Sequence, residues 1–138
     1  MSARLFIALG TASQVPTRHR NHNGYYIRWD DEGFLLDPGE GTQRQMIYAG
    51  VSASQITKIF ITHFHGDHCL GLAGVLQRLS LDRVEHKVEI YYPEYGRKYV
   101  DNLRNSSAYH NVAKIVEKPF AGDGVIYESK TLKIETRK

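Results

Sequence analysis

The stretch from Ile59 to His68, Ile-Phe-Ile-Thr-His-Phe-His-Gly-Asp-His, holds His63, His65, Asp67 and His68 directly after an apolar, β-branched and aromatic run. In extended backbone, residues two apart point to the same side. His63 and His65 can therefore bring their imidazoles to one point while Phe64 faces away into packing. Gly66 lets the chain turn, and Asp67 and His68 follow within reach of the same centre or one a few ångströms away. Neutral imidazole and carboxylate are the usual ligands of zinc and similar divalent ions, and a catalytic site keeps one position for water. Four donors exceed what one open site needs. Two adjacent metals sharing the loop account for the surplus, with His63 and His65 on one and Asp67 and His68 on the other. Such a pair suits phosphoester hydrolysis, because the attacking and the leaving oxygens are both stabilised. Asp67 is also the candidate catalytic residue, ligating one metal and orienting the attacking water. A polar loop with chance histidines would not require the strand before it and the helix after it.

Two earlier stretches carry chemistry-bearing side chains with more than one reading. Asp37 closes an apolar run ahead of Pro38-Gly39, so it is either a turn residue or a buried group serving a site. The polar segment Gln14 to Gly24 carries Arg18, His19, Arg20 and His22. Its guanidinium forks can grip phosphates bidentately, or the segment is a solvated loop that happens to be basic. Tyr95 and Tyr99 can stack on bases, although an aromatic helix face more often packs in a core or interface. His86 and His110 read as surface histidines.

The string Thr62-His63-Phe64-His65-Gly66-Asp67-His68 resembles the H-x-H-x-D-H signature of the metallo-β-lactamase superfamily. Asp37-Pro38-Gly39-Glu40-Gly41-Thr42-Gln43 looks like the D-x-G-E-G-T-Q segment of the tRNase Z (ribonuclease Z) family. Pro16-Thr17-Arg18-His19-Arg20-Asn21 is similar to that family's P-x-K-x-R-N loop, with Arg18 where lysine often stands. The resemblance implies an α/β fold, an αββα sandwich of two similar halves with the metals between them. It covers the first half only, a mixed β-sheet flanked by helices, and places the remaining ligands and the proton donor beyond Lys138. It further implies two zinc ions, with manganese or iron as alternatives, and cleavage of the 3′ trailer from precursor tRNA. Asp37 would hydrogen-bond the metal loop and fix ligand orientation. Arg18, Arg20 and Asn21 would bind RNA, and a homodimer would present tRNA across subunits.

The elements that must position these residues can be read from periodicity and turn chemistry. Arg4 to Leu9, Tyr25 to Trp29, Phe34 to Asp37 and Lys58 to Thr62 read as strands, with Asp30-Asp31-Glu32-Gly33 as a hairpin turn. Glu40 to Gly50 reads as a helix, with a short helical turn in Val51 to Gln55. Cys69 to Leu81 reads as one helix starting at the metal loop, with Leu72, Val75, Leu76 and Leu79 on its core face. Val88 to Tyr92 reads as a strand, Glu94 to Arg104 as a helix, and Ala113 to Glu117 and Val125 to Tyr127 as strands around Gly122-Asp123-Gly124. Thr131 to Lys138 alternates like a strand and stops without a turn or capping signal, as if cut.

With 138 residues and 41% hydrophobic content, the chain fits one domain with a core. A net charge of +3 is compatible with a nucleic-acid partner and weak as support for one. Cys69 is the only cysteine, so no internal disulfide forms and a reducing compartment follows. The apolar run after Met1-Ser2-Ala3-Arg4 is too short for a signal segment or membrane span, so a cytoplasmic protein is expected. Two further readings stay open. One is a hydrolase of a thioester, lactam or cyclic nucleotide on the same scaffold. The other is a catalytically incomplete metal-binding half-domain that pairs with itself through an exposed sheet edge.

Overall fold

The computed structural model describes residues 4–138; Met1 to Ala3, part of the stretch read above for a leader, lie outside the described residues. The chain opens with β1 (Arg4–Gly10), β2 (Gly24–Trp29) and β3 (Glu32–Leu36), an antiparallel meander. The two-residue turn at Asp30-Asp31 places Asp30 at φ 56, a left-handed conformation that Asp tolerates better than most residues. Helix α1 (Thr42–Tyr48) and a 3-10 turn at Ala53–Gln55 lead to β4 (Lys58–Phe60). Then come α2 (Gly66–Cys69), α3 (Leu72–Leu81), β5 (Lys87–Pro93), α4 (Arg97–Arg104) and β6 (Lys114–Phe120). Strands β1 to β6 form one sheet in chain order, with β3, β4, β5 and β6 parallel. A separate hairpin of β7 (Gly124–Glu128) and β8 (Lys133–Thr136) follows. Among the described residues no helix is long and apolar enough to cross a membrane.

Alternation along the strands splits the apolar side chains between two faces. Leu35, Ile59, Ile61, Ile90 and Tyr92 face the helices and are at most 1% exposed. Leu72, Val75, Leu76 and Leu79 of α3 meet them as the helical spacing expects; replacing one such leucine by alanine would cost about 2–5 kcal/mol. Phe34, Phe60 and Tyr91 face the other way, under Ile126, Tyr127, Leu132 and Ile134 of the hairpin. Tyr127 fastens that hairpin by donating its hydroxyl to Glu32 at 2.6 and 2.7 Å, and Lys58 ion-pairs with the same carboxylate beneath the Tyr127 ring.

Several expected boundaries are corrected. The single helix from Cys69 to Leu81 is broken at Leu70-Gly71, because the Gly71 amide donates to the Pro38 carbonyl at 2.9 Å, across the chain. A Cβ at Gly71 would lie 2.0 Å from the Gly39 carbonyl oxygen, so only glycine admits this approach. Asp67 and His68 thus lie inside a short helix begun at Gly66, instead of in a turn before one. The helix expected from Glu40 to Gly50 spans only Thr42–Tyr48, preceded by Gly41 at φ 83. The stretch Glu94 to Arg104 divides into a 3-10 turn (Glu94–Gly96) and α4. β6 and β7, the strands expected around Gly122-Asp123-Gly124, run longer than expected and belong to different sheets, since β6 pairs with β5 and β7 with β8.

Candidate metal centre

Parallel pairing of β3 with β4 brings the ends of both strands to one edge of the sheet. Leu36 stands opposite Phe60, and the Asp37 amide continues the ladder to the Phe60 carbonyl at 2.8 Å. There β3 stops, because Asp37 turns to φ 46 and Pro38 follows. The buried Asp37 carboxylate points across the end of β4. Its Oδ1 accepts the Thr62 amide at 2.7 Å, and its Oδ2 accepts the Thr62 hydroxyl at 2.8 Å and lies 3.0 Å from His68 Nδ1. Thr62 Oγ1 lies in turn 3.0 Å from His63 Nδ1.

These contacts assign the tautomers of two rings. Asp37 only accepts, so His68 donates from Nδ1. The Thr62 hydroxyl proton goes to Asp37, so Thr62 Oγ1 accepts from His63 Nδ1. Both rings therefore carry the lone pair on Nε2, the atom that ligation would use. The Asn23 side-chain amide donates to Asp67 Oδ2 at 3.0 Å and sits 3.2 Å from His68 Nε2, while the Tyr25 hydroxyl steadies Asn23 Oδ1 at 3.1 Å.

His63, His65 and His68 share one mouth: the His63 ring centroid lies 4.8 Å from that of His65 and 4.1 Å from that of His68. Burial, followed by the imidazoles of His68 and His65, pushes His63 below the ordinary histidine range against the pull of Asp37 and Asp67; a neutral ring is the ligating form. Phe64 turns away, edge-on to Tyr92 and Tyr95 and stacked with Tyr99. Three imidazoles and a buried carboxylate are the donor types a divalent ion takes. They do not stand as a ready cage: among the described residues no three His, Cys, Asp or Glu side chains are arranged to hold an ion. His68 Nε2 is instead 3.2 Å from Asp67 Oδ2, with the Asn23 amide against both.

The basic loop divides in its duties. Arg18 and Arg20 are exposed, with Arg20 Nη1 donating to the Thr11 hydroxyl at 3.1 Å. Asn21, expected to bind RNA, is half-buried and braces the loop. Its amide donates to the Glu40 carbonyl at 2.7 Å and its backbone carbonyl accepts the amides of Thr11 and Ala12. His22, read within a polar loop, is 5% exposed, its Nε2 3.1 Å from the Gln14 carbonyl. His86 and His110 are exposed, as expected, although His86 Nε2 reaches the Ile56 carbonyl at 2.8 Å. Sequence reasoning missed Thr62 and Asn23. Thr62 could have been found as the one hydroxyl between the β4 core and His63; Asn23 gives no signal of its own in the sequence.

Residues 17–134 match the family model of the metallo-beta-lactamase superfamily. Over all 138 residues the chain is 56% identical to the Ribonuclease Z of Streptomyces avermitilis, of which it covers 46%. It is 53% identical over 137 residues to the Ribonuclease Z of Chlamydia muridarum, of which it covers 45%. The crystal structure of human tRNase Z, short form, superposes with a TM-score of 0.74 at 37% identity, over 83% of this chain and 43% of that one. The chain spans just under half the length of the curated relatives it matches.

Proposed function

The chain belongs to the metallo-β-lactamase superfamily, and from that premise we propose that it is the metal-loop half of a phosphodiesterase that removes the 3′ trailer from precursor tRNA. Identity of 53–56% to proteins named Ribonuclease Z, over nearly all of this chain and just under half of theirs, supports this substrate over a thioester, lactam or cyclic nucleotide. The observation that carries the chemistry is the line His63–Thr62–Asp37–His68, whose contacts fit a proton on Nδ1 of both rings and so support Nε2 as the ligating atom. His63, His65, Asp67 and His68 would hold the divalent ions, two zinc ions in the full site. Bound there, the ions would supply charge stabilisation for the attacking and leaving oxygens of the phosphodiester.

The chain's own residues supply the rest. Asp37 and Thr62 fix the imidazole orientations. Asp67 accepts a hydrogen bond from Asn23 and would orient the attacking water. Arg18 and Arg20, exposed on the adjoining loop, would carry the RNA backbone, while Asn21 braces that loop. The same proposal includes a homodimer and a cytoplasmic setting; its support for the latter is a single buried, unpaired cysteine.

The test is incubation of the chain with precursor tRNA carrying a 3′ trailer, with and without chelator, alongside a count of zinc per chain. A chelator-sensitive cut at the trailer junction that leaves a 3′-hydroxyl is the expected result. Turnover of a thioester or lactam with intact RNA would replace this reading with the small-substrate hydrolase. Intact RNA with no zinc retained after dialysis would replace it with the half-domain.

A further inference from the structure

Beside the metal loop the surface changes character. Phe64, between His63 and His65, is seated against the turn that begins α4; a Cβ at Gly96 would lie 1.8 Å from its ring. Tyr99 stacks on Phe64 with centroids 5.4 Å apart and planes at 26°, and Tyr95 meets it edge-on at 6.0 Å. Neither tyrosine belongs to the core. Tyr95 is 61% exposed and Tyr99 40%, whereas Val100 of the same helix is fully buried.

Lys98 Nζ sits 4.8 Å from the Tyr99 centroid. Tyr95, in the 3-10 turn, and Tyr99, in the first turn of α4, both rest against Phe64. Tyr95, Tyr99 and Lys98 thus lie together as two aromatic rings and a cation. Asp101 and Arg104 turn to another side, where Arg104 ion-pairs with Glu117 at 2.7 Å. Exposed aromatic rings with a flanking cation are the elements of a stacking platform for unpaired bases, which present a π-face and carry an anionic backbone.

We propose that Tyr95, Tyr99 and Lys98 form a shelf that stacks an unpaired nucleotide of the RNA next to the scissile phosphate. The inference rests on the phosphodiesterase reading and adds to it a preference for single-stranded RNA at this flank. Continuity decides the occupant. Parallel pairing of β4 with β5 brings the Glu94–Gly96 turn to the same edge of the sheet as the metal loop, and Phe64, turned away from the mouth, packs against both shelf tyrosines, so a strand leaving the mouth along that edge meets this shelf. A base stacked inside a duplex has both faces covered and cannot use it.

The test is fluorescence anisotropy of a labelled single-stranded RNA hexamer, and of the same sequence as a duplex, titrated with the whole chain. Tyr95→Leu with Tyr99→Leu keeps apolar cover over Phe64 and should weaken single-strand binding about tenfold, with the duplex little changed. Tyr95→Phe with Tyr99→Phe should bind as the parent does, since stacking needs the ring. Lys98→Gln should reduce the slope of log affinity on log salt by about 0.7. Leu variants that bind within about twofold of the parent, or Phe variants that lose as much as the Leu variants, overturn the shelf while leaving the phosphodiesterase reading in place. A parent chain that binds neither the hexamer nor precursor tRNA overturns both.

Discussion

Asp37→Asn tests the logic of the centre with almost no change of shape. Asparagine tolerates the left-handed φ of 46 that Asp37 adopts, so the turn at Pro38 should survive. The hydrogen-bond inventory changes sharply. The amide oxygen can keep the Thr62 backbone bond now at 2.7 Å, but the other position becomes a donor facing His68 Nδ1, now at 3.0 Å, and the Thr62 hydroxyl, now at 2.8 Å. Two donors cannot share that contact. His68 must move its proton to Nε2, and the Thr62 hydroxyl must accept from the new amide, which reverses its bond to His63 as well. Both ligating lone pairs are then turned off the mouth. Loss of a charge-assisted bond at this buried position costs about 1.5–3 kcal/mol of stability. Losing the orienting partner of a ligand weakens metal binding about 10–100-fold, equivalent to about 1.4–2.7 kcal/mol. Zinc affinity by competition with a chromophoric chelator gives the second quantity, and nitrogen-detected NMR of the imidazoles reports the tautomers. Parental zinc affinity with His68 still protonated on Nδ1 would refute the assignment.

The remaining predictions concern the frame around that centre. Gly71→Ala must open the contact with the Gly39 carbonyl by about 1 Å, from 2.0 Å to the 3.0 Å below which real Cβ contacts essentially do not occur. Overpacking of this kind costs about 1–3 kcal/mol, so Tm should fall and zinc binding weaken with it; unchanged values would deny that Gly71 positions the loop. The Cys69 thiol is pushed up to about 11, by burial first and then by the Asp67 and Asp37 carboxylates. At pH 9.0 it should resist alkylation in the folded chain and react at once in denaturant, and equal rates would contradict its burial. Burial alone would raise Glu117, but the Tyr92 hydroxyl and the Arg104 guanidinium outweigh it and hold the carboxyl below its usual 4.5. Its stabilisation is present above pH 4.5 and lost as pH falls below that. Burial and then the bond to Glu117 push Tyr92 up to about 12, so its contribution is complete below pH 10.0 and lost as pH rises toward 12. Urea midpoints across both ranges should fall less in Glu117→Gln than in the parent.

What the sequence disclosed follows from how local each signal is. The histidine loop was legible because ligand spacing and strand periodicity coincide between Ile59 and His68. The sandwich-half architecture was legible through the resemblance and the two-residue periodicity of the strands. The break in the helix after Cys69 was not, because its cause lies at Pro38 and Gly39, far along the chain, and appears only once β3 and β4 are paired. The bracing bond of Asn21 was hidden for a related reason. Its side chain is polar in a polar loop, and nothing local reveals that the Glu40 carbonyl is waiting for it. The inward burial of His22 likewise depends on the loop folding back over Gly10 and Gly39, each of which would clash with it if it carried a Cβ.

Because the order of strands across the main sheet is the order in which they are made, each new strand finds its partner already at the growing edge. No earlier segment has to wait for a later one to be inserted between its neighbours, which shortens the loops that must close and favours fast assembly. A ribosome could therefore lay this sheet down progressively, with the metal loop shaped once β4 docks on β3. Tyr127 and its hairpin would arrive after β6, sealing a face that stays wet until then.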